Sequence, residues 1–189
     1  MEVKTTTRDL CLIALFVAII AALAQITIPL PFVPLTMQTF AIALAGVVLG
    51  ARRGAIAAAL YLLLGALGVP VFAAFSGGFG FLIGATGGYL LSFPLLAFIA
   101  GIAADRAVLV REGGQRLLAA GILAGGLIVG MLINLMAGTA QLSLVMQIGL
   151  LEAFVLGMLP FLIPELLKIA LIFAIAPKIR QVVDSGAKT

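Results

Sequence analysis

The amino-acid sequence predicts an all-α integral membrane protein, a compact bundle of six transmembrane helices in which residues 1–189 form a single membrane domain. Composition is the first of three observations behind this. Hydrophobic residues make up 64% of the chain and charged residues 10%, the mean hydropathy is +1.34, and soluble domains carry roughly 25% charged residues. Length is the second, since 189 residues hold about six spans of ~20 residues with their loops. The third is where the cations fall. With six alternating spans, Lys4, Arg8, Arg52, Arg53, Arg106, Arg111, Arg116, Lys178, Arg180 and Lys188 share one side, ten of the eleven basic residues. An excess of Lys and Arg marks the cytoplasmic side, so both the N- and C-termini are expected to be cytoplasmic.

The first span, about 10–30, follows a polar start that imitates a secretory signal, but its apolar run exceeds the 7–15 residues of a signal core. Ala14, Ala18 and Ala22 recur every fourth residue and leave one helix face nearly free of bulk, which allows close helix approach in lipid. Spacing alone leaves two readings open, packing within the bundle or docking to a separate membrane protein. Cys11 reads as an apolar packing residue. Pro29, Pro31 and Pro34 then end the pattern, because proline lacks the N–H and restricts the residue before it. The second span is about 35–50, Arg52-Arg53-Gly54 the next turn, and about 55–69 the third span, both short for a crossing. From Pro70 to Gly88, glycines alternate with Phe72, Phe75, Phe79 and Phe81, which suits a loop folding over a ligand or an ordinary connector. The last three spans are about 89–104, 117–138 and 153–176. Between them lie a polar loop at Asp105 to Arg116 and a surface segment, 139–152, able to form a short interfacial helix. Gly121, Gly125, Gly126 and Gly130 supply helix contacts of the GxxxG kind.

Inside the last span stand Glu165 and Lys168, three residues apart and so on one helix face. A charge at the centre of a membrane helix costs about 2.5–3.5 kcal/mol on insertion scales, and such residues usually face a bundle interior or cavity. Because this span runs from outside to inside, the pair lies in the outer half of the membrane beneath the loops. One carboxylate, one ammonium and apolar or aromatic walls suit a small amphiphile with hydrogen-bond donors and an acid group. Gln38, Thr39, Ser76, Tyr89 and Asn134 add neutral polar contacts. The alternative for the charged pair is a mutually neutralised bridge that only positions the helix, and for each neutral residue a helix–helix hydrogen bond.

Several function classes are excluded. The chain has no histidine and one cysteine, which rules out the common transition-metal sites, an internal disulfide, a Ser-His nucleophile and an HExxH metalloprotease. No Gly-Lys-Ser/Thr follows the glycine-rich stretch, so there is no P-loop. Basic residues form no stripe on a polar face, which excludes nucleic-acid binding. No catalytic residue, metal or cofactor is expected.

Four stretches appear in order: Pro34-Leu35-Thr36-Met37-Gln38-Thr39-Phe40; Leu63 to Val71, reading LLGALGVPV; Phe75 to Tyr89, reading FSGGFGFLIGATGGY; and Pro160-Phe161 with an acidic residue and Lys168. Together they make nearly the whole chain resemble the BioY family, the biotin-specific substrate-binding (S) component of energy-coupling factor (ECF) transporters. The resemblance implies a six-helix bundle in the (inner) membrane of a bacterial or archaeal cell, capturing biotin with high affinity from outside without hydrolysing ATP. The implied partners are a transmembrane coupling protein and a pair of cytoplasmic ATPase subunits. It favours docking to the coupling protein for Ala14, Ala18 and Ala22, and a lid for residues 72–88. It implies a ligand site of Glu165, Lys168, Gln38, Phe75, Phe79, Tyr89 and Asn134. In it Glu165 accepts from ureido N–H groups, Lys168 meets an acidic or carbonyl oxygen, and Phe75, Phe79 and Tyr89 cover the apolar bicycle. The chain departs from the family at Pro164-Glu165, where Gly-Asp is expected, and the glutamate is one methylene longer. Two other classes stay open: a helix-binding assembly protein with no small-molecule site, and a self-sufficient biotin carrier.

Overall fold

The computed structural model describes residues 6–185, and Lys4 and Lys188 of the expected basic side lie outside them. The chain enters α1 (Thr7–Ala24) through a capping box: Thr6 Oγ1 accepts from the Asp9 N–H at 3.3 Å, and Asp9 accepts from the Thr6 N–H at 3.2 Å, which satisfies two otherwise orphaned donors. Across the proline segment, β1 (Thr27–Ile28) and β2 (Leu35–Thr36) pair antiparallel as a small hairpin. Next come α2 (Gln38–Leu49) and α3 (Ala51–Ala66), joined by a single residue, Gly50, at φ +82°. A left-handed glycine reverses the chain without a longer loop, so Arg52, Arg53 and Gly54 lie in the first turn of α3 rather than in the turn before it.

Two short helices, α4 (Gly80–Ile83) and α5 (Gly87–Leu91), lead into α6 (Phe93–Glu112). The following α7 (Arg116–Met146) runs for 31 residues. Most of the segment expected at the surface, 139–152, is therefore helix: no Gly or Pro interrupts it before Gln147, whose left-handed φ of 54° ends α7. The last membrane segment is broken in two, α8 (Leu150–Gly157) and α9 (Leu162–Ser185), by a 3₁₀ turn at Leu159–Phe161. Pro160 sits in that turn. Pro164 falls in the first turn of α9, where its missing N–H has no helical partner to lose.

Among the described residues, Thr7–Ala24, Gly87–Glu112, Arg116–Met146 and Leu150–Val183 are long and apolar enough to cross a membrane. At 12 residues α2 is shorter, about 18 Å against a hydrocarbon core of ~30 Å. Apart from Thr39, every residue of α2 is buried. It is the central helix, packed on α1, α3, α6 and α9.

Glycine sets how closely α2, α3 and α6 approach. A Cβ on Gly46 would stand 2.1 Å from the Ala97 carbonyl oxygen, and one on Gly54 2.6 Å from Gly46 Cα. On α7, Gly126 and Gly130 meet α6, whereas Gly121 and Gly125 face open space, so only part of the expected glycine set packs within the chain. On α1 the buried face carries Ile13, Phe16, Val17 and Ile20, while Ala14, Ala18 and Ala22 point outward. Cys11 is exposed too, because it lies seven residues before Ala18 on the same outward stripe.

One end of the bundle is tied by charge. Arg53 pairs with Asp9 at 3.2 Å, and Arg8 donates to the Val183 carbonyl. Arg180 donates to Asp105 at 2.6 Å and to the Val47 carbonyl at 2.9 Å. These contacts join the ends of α1, α2, α3, α6 and α9 and place the side chains of three expected cytoplasmic arginines together.

Gly46→Val should destabilise the fold by about 1–3 kcal/mol, the usual range for overpacking, seen as earlier loss of monodisperse protein on heating in detergent. Gly125→Ala should leave that profile unchanged.

Candidate ligand-binding site

A cavity of about 450 Å³ lies at the opposite end of the bundle from the arginines, within the size range of small-molecule sites. Its polar wall is built where the start of α9 faces the start of α2. Glu165 and Lys168 are 2% and 5% exposed, and Lys168 Nζ donates to Glu165 Oε1 at 2.6 Å, to the Thr36 carbonyl at 2.6 Å and to Thr39 Oγ1 at 2.9 Å. An ammonium has three N–H donors, so Lys168 is saturated. The Thr39 hydroxyl in turn donates to the Glu165 carboxylate, at 2.7 Å to Oε1 and 3.0 Å to Oε2. Glu165 also sits in the first turn of α9, where the helix dipole favours an anion. With its extra methylene, the glutamate carboxylate reaches across to α2.

The structure brings Gln38, Tyr89 and Asn134 to the same cavity. Gln38 donates through Nε2 to the Tyr61 hydroxyl at 2.6 Å and accepts from Thr36 Oγ1 at 3.0 Å. Tyr61 passes the chain on to the Val71 carbonyl at 2.9 Å. Tyr89 donates to the Gly157 carbonyl at 2.6 Å and stacks obliquely on Phe161, 6.4 Å between centroids. Asn134 Nδ2 donates to the Tyr89 carbonyl and to Ser92 Oγ, both at 2.8 Å. Its Oδ1, by contrast, is buried with no hydrogen-bond partner among the described residues. A buried acceptor left unpaired costs about 1–3 kcal/mol.

Phe75 and Phe79, expected over the ligand, do not line the cavity; they are 72% and 64% exposed. Ala74 and Phe75 both adopt a left-handed φ of 54°, and this turn swings Phe75 outward while leaving Phe72 buried. The aromatic wall is instead Phe72, Phe81, Phe93 and Phe161 with Tyr89. Nothing in the spacing of the four loop phenylalanines distinguishes the inward from the outward ones.

Sequence reasoning also missed two glutamines that clamp the loop. Gln25, just past α1, donates through Nε2 to the carbonyls of Ala21, Val71 and Phe72 at 3.0, 3.4 and 3.2 Å, and its Oε1 accepts from the Phe75 N–H at 2.8 Å. From α7, Gln141 Nε2 donates to the Leu82 and Gly84 carbonyls at 2.9 and 2.8 Å. The only sequence signal was a glutamine in each apolar run, close to Thr27 in one and between Thr139 and Ser143 in the other. Among the described residues no group of three or more His, Cys, Asp or Glu is placed to hold a metal ion.

Several known proteins are similar to this chain. The model of the BioY family matches residues 1–185. A relative from Pyrococcus horikoshii named "Probable biotin transporter BioY" is 39% identical over 92% of this chain and 96% of its own. The biotin transporter BioY of Thermotoga maritima is 37% identical over the same shares, 92% and 96%. A crystal structure of the S-component for biotin from an ECF-type ABC transporter superposes with a TM-score of 0.82 at 27% identity, covering 96% of this chain and 95% of that one. These relatives are named as transporters rather than enzymes.

Gln25→Leu should loosen the loop. Loss of a hydrogen bond worth about 0.5–1.5 kcal/mol should raise amide exchange at Phe75 several-fold, with exchange in the core of α2 unchanged, as read by hydrogen–deuterium exchange.

Proposed function

The chain belongs to the BioY family, and on that premise we propose that it is the biotin-capturing subunit of a vitamin uptake transporter driven by an ATP-hydrolysing coupling module. The observation that carries the proposal is the aromatic cavity, lined both by Glu165 and by Asn134, whose Oδ1 is a buried acceptor with no partner among the described residues. Biotin presents two ureido N–H donors, an apolar bicycle and a carboxylate tail. Asn134 and Glu165 accept from the ureido group, and the rings of Phe72, Phe81, Tyr89, Phe93 and Phe161 flank the bicycle. Lys168 has no donor to spare, so it meets a ligand oxygen by giving up Thr36 or Thr39. Gln38 holds Tyr61 and, through it, the loop. Phe75 and Phe79 belong to the outer surface of the lid rather than to the walls.

The same reading gives six crossings, α1, α2, α3, α5 with α6, α7, and α8 with α9, in one membrane domain of the bacterial or archaeal cell membrane. Both termini and the arginine-tied end are then cytoplasmic, in keeping with the excess of positive charge there, and the cavity opens outward. The outward face of Ala14, Ala18 and Ala22 is where the transmembrane coupling protein docks, with the ATPases beneath it. What supports this is that the face has no partner within the described fold and that small residues permit close helix approach.

Titration calorimetry should give one saturable biotin site per chain, and an absence of saturable binding by the wild-type protein would remove the proposal. Truncating one member of a buried charge pair typically costs 2–5 kcal/mol, so Lys168→Ala or Glu165→Ala should weaken binding at least ~30-fold at ~1.4 kcal/mol per decade. Ala18→Phe should abolish co-purification of the coupling protein while leaving biotin affinity intact.

A further inference from the structure

At the arginine-tied end a second cleft of about 720 Å³ lies between α2, α6, α7 and α9. Five alanines face it from three helices, Ala104 and Ala107 of α6, Ala119 and Ala120 of α7, and Ala176 of α9, with Val47 and Val108 beside them and Gln181 also in the lining. No alanine has a side chain long enough to fill the space. Leu123 and Phe173 line its inner part, and Arg111, Arg116 and Arg180 stand at its rim. Arg116 to Leu123, and Arg180 back to Phe173, are each seven residues of helix, about 10 Å at 1.5 Å per residue. Over that depth the lining passes from three guanidinium groups to apolar walls. Arg180 is held by Asp105, whereas Arg111 and Arg116 make no ion pair among the described residues.

We infer that this cleft binds one anionic phospholipid, with the phosphate at Arg111 and Arg116 and an acyl chain along the alanine walls. Guanidinium groups match phosphate oxygens in charge and in paired geometry, and basic pockets between membrane helices hold acidic head groups in this way. A soluble anion would use the rim and leave the apolar depth empty. A zwitterionic lipid would bring its own cation against three arginines. The inference needs the membrane setting of the chain but not biotin, so the two readings stand or fall separately.

Native mass spectrometry of the full chain, released from detergent after incubation with equal amounts of phosphatidylglycerol and phosphatidylcholine, tests it. Wild type should retain phosphatidylglycerol selectively. Arg111→Gln with Arg116→Gln should reduce that retention about 30-fold for two surface arginines, with biotin affinity unchanged. Ala120→Leu, which blocks the cleft while keeping every charge, should reduce it too. Equal retention of the two lipids, an undiminished preference in the double variant, or displacement of the lipid by glycerol 3-phosphate at equal concentration would each overturn the inference, the last by identifying a soluble-anion site.

Discussion

An ammonium ion buried in a lipid-embedded bundle needs an acceptor for each of its three N–H groups, because an unsatisfied buried donor is costly. Lys168 draws its acceptors from three places: the Glu165 carboxylate one turn back, the Thr36 carbonyl in the hairpin, and the Thr39 hydroxyl at the start of the central helix. Each acceptor fixes a different piece of the wall. The first turn of α9, the hairpin above it and the start of α2 are thereby locked to one another around the cavity. An apolar replacement of such a pair is often as stable or more so, so the pair is not explained by stability alone.

The two ends of the bundle divide the chemistry. At the cavity end, the polar groups are neutral amides and hydroxyls grouped about a single ion pair, and Asn134 carries a buried acceptor with no partner among the described residues. At the other end, arginines tie five helices through Asp9, Asp105 and main-chain carbonyls. Helix α1 runs between these ends with its alanine stripe outward, and its last turn passes directly into the residue that holds the loop. Whatever moves α1 therefore acts on the roof of the cavity as well.

What the sequence made legible depended on how local the cause was. The membrane class followed from composition, and the Glu165–Lys168 pair stood out because charge is rare in a span. Arg8, Arg53 and Arg180 bind Val183, Asp9 and Asp105, contacts that the count of basic residues did not specify. The inward and outward phenylalanines were not legible, because they depend on left-handed backbone at Ala74 and Phe75, a conformation that neither residue type advertises. Helix α7 was underestimated past Gly138 because polar Thr139, Gln141 and Ser143 resemble a surface segment, yet each lies on the inner side of a continuous helix or serves its neighbours. The glycines of α2, α3 and α6 form no regular GxxxG pattern like that of α7, although a Cβ on Gly46, Gly54 or Gly101 would stand within 2.6 Å of a neighbouring helix backbone.

Every group that Gln25 engages, from Ala21 to Phe75, belongs to the main chain, and the two acceptors of Gln141 do as well. A hydrogen bond to a carbonyl or an amide N–H is indifferent to the side chain that the same residue carries. The loop is thus free to drift in sequence, exchanging one apolar residue for another, without loosening its hold on the helices. Evolution can in this way retune the roof of the cavity while the two glutamines that fasten it stay as they are.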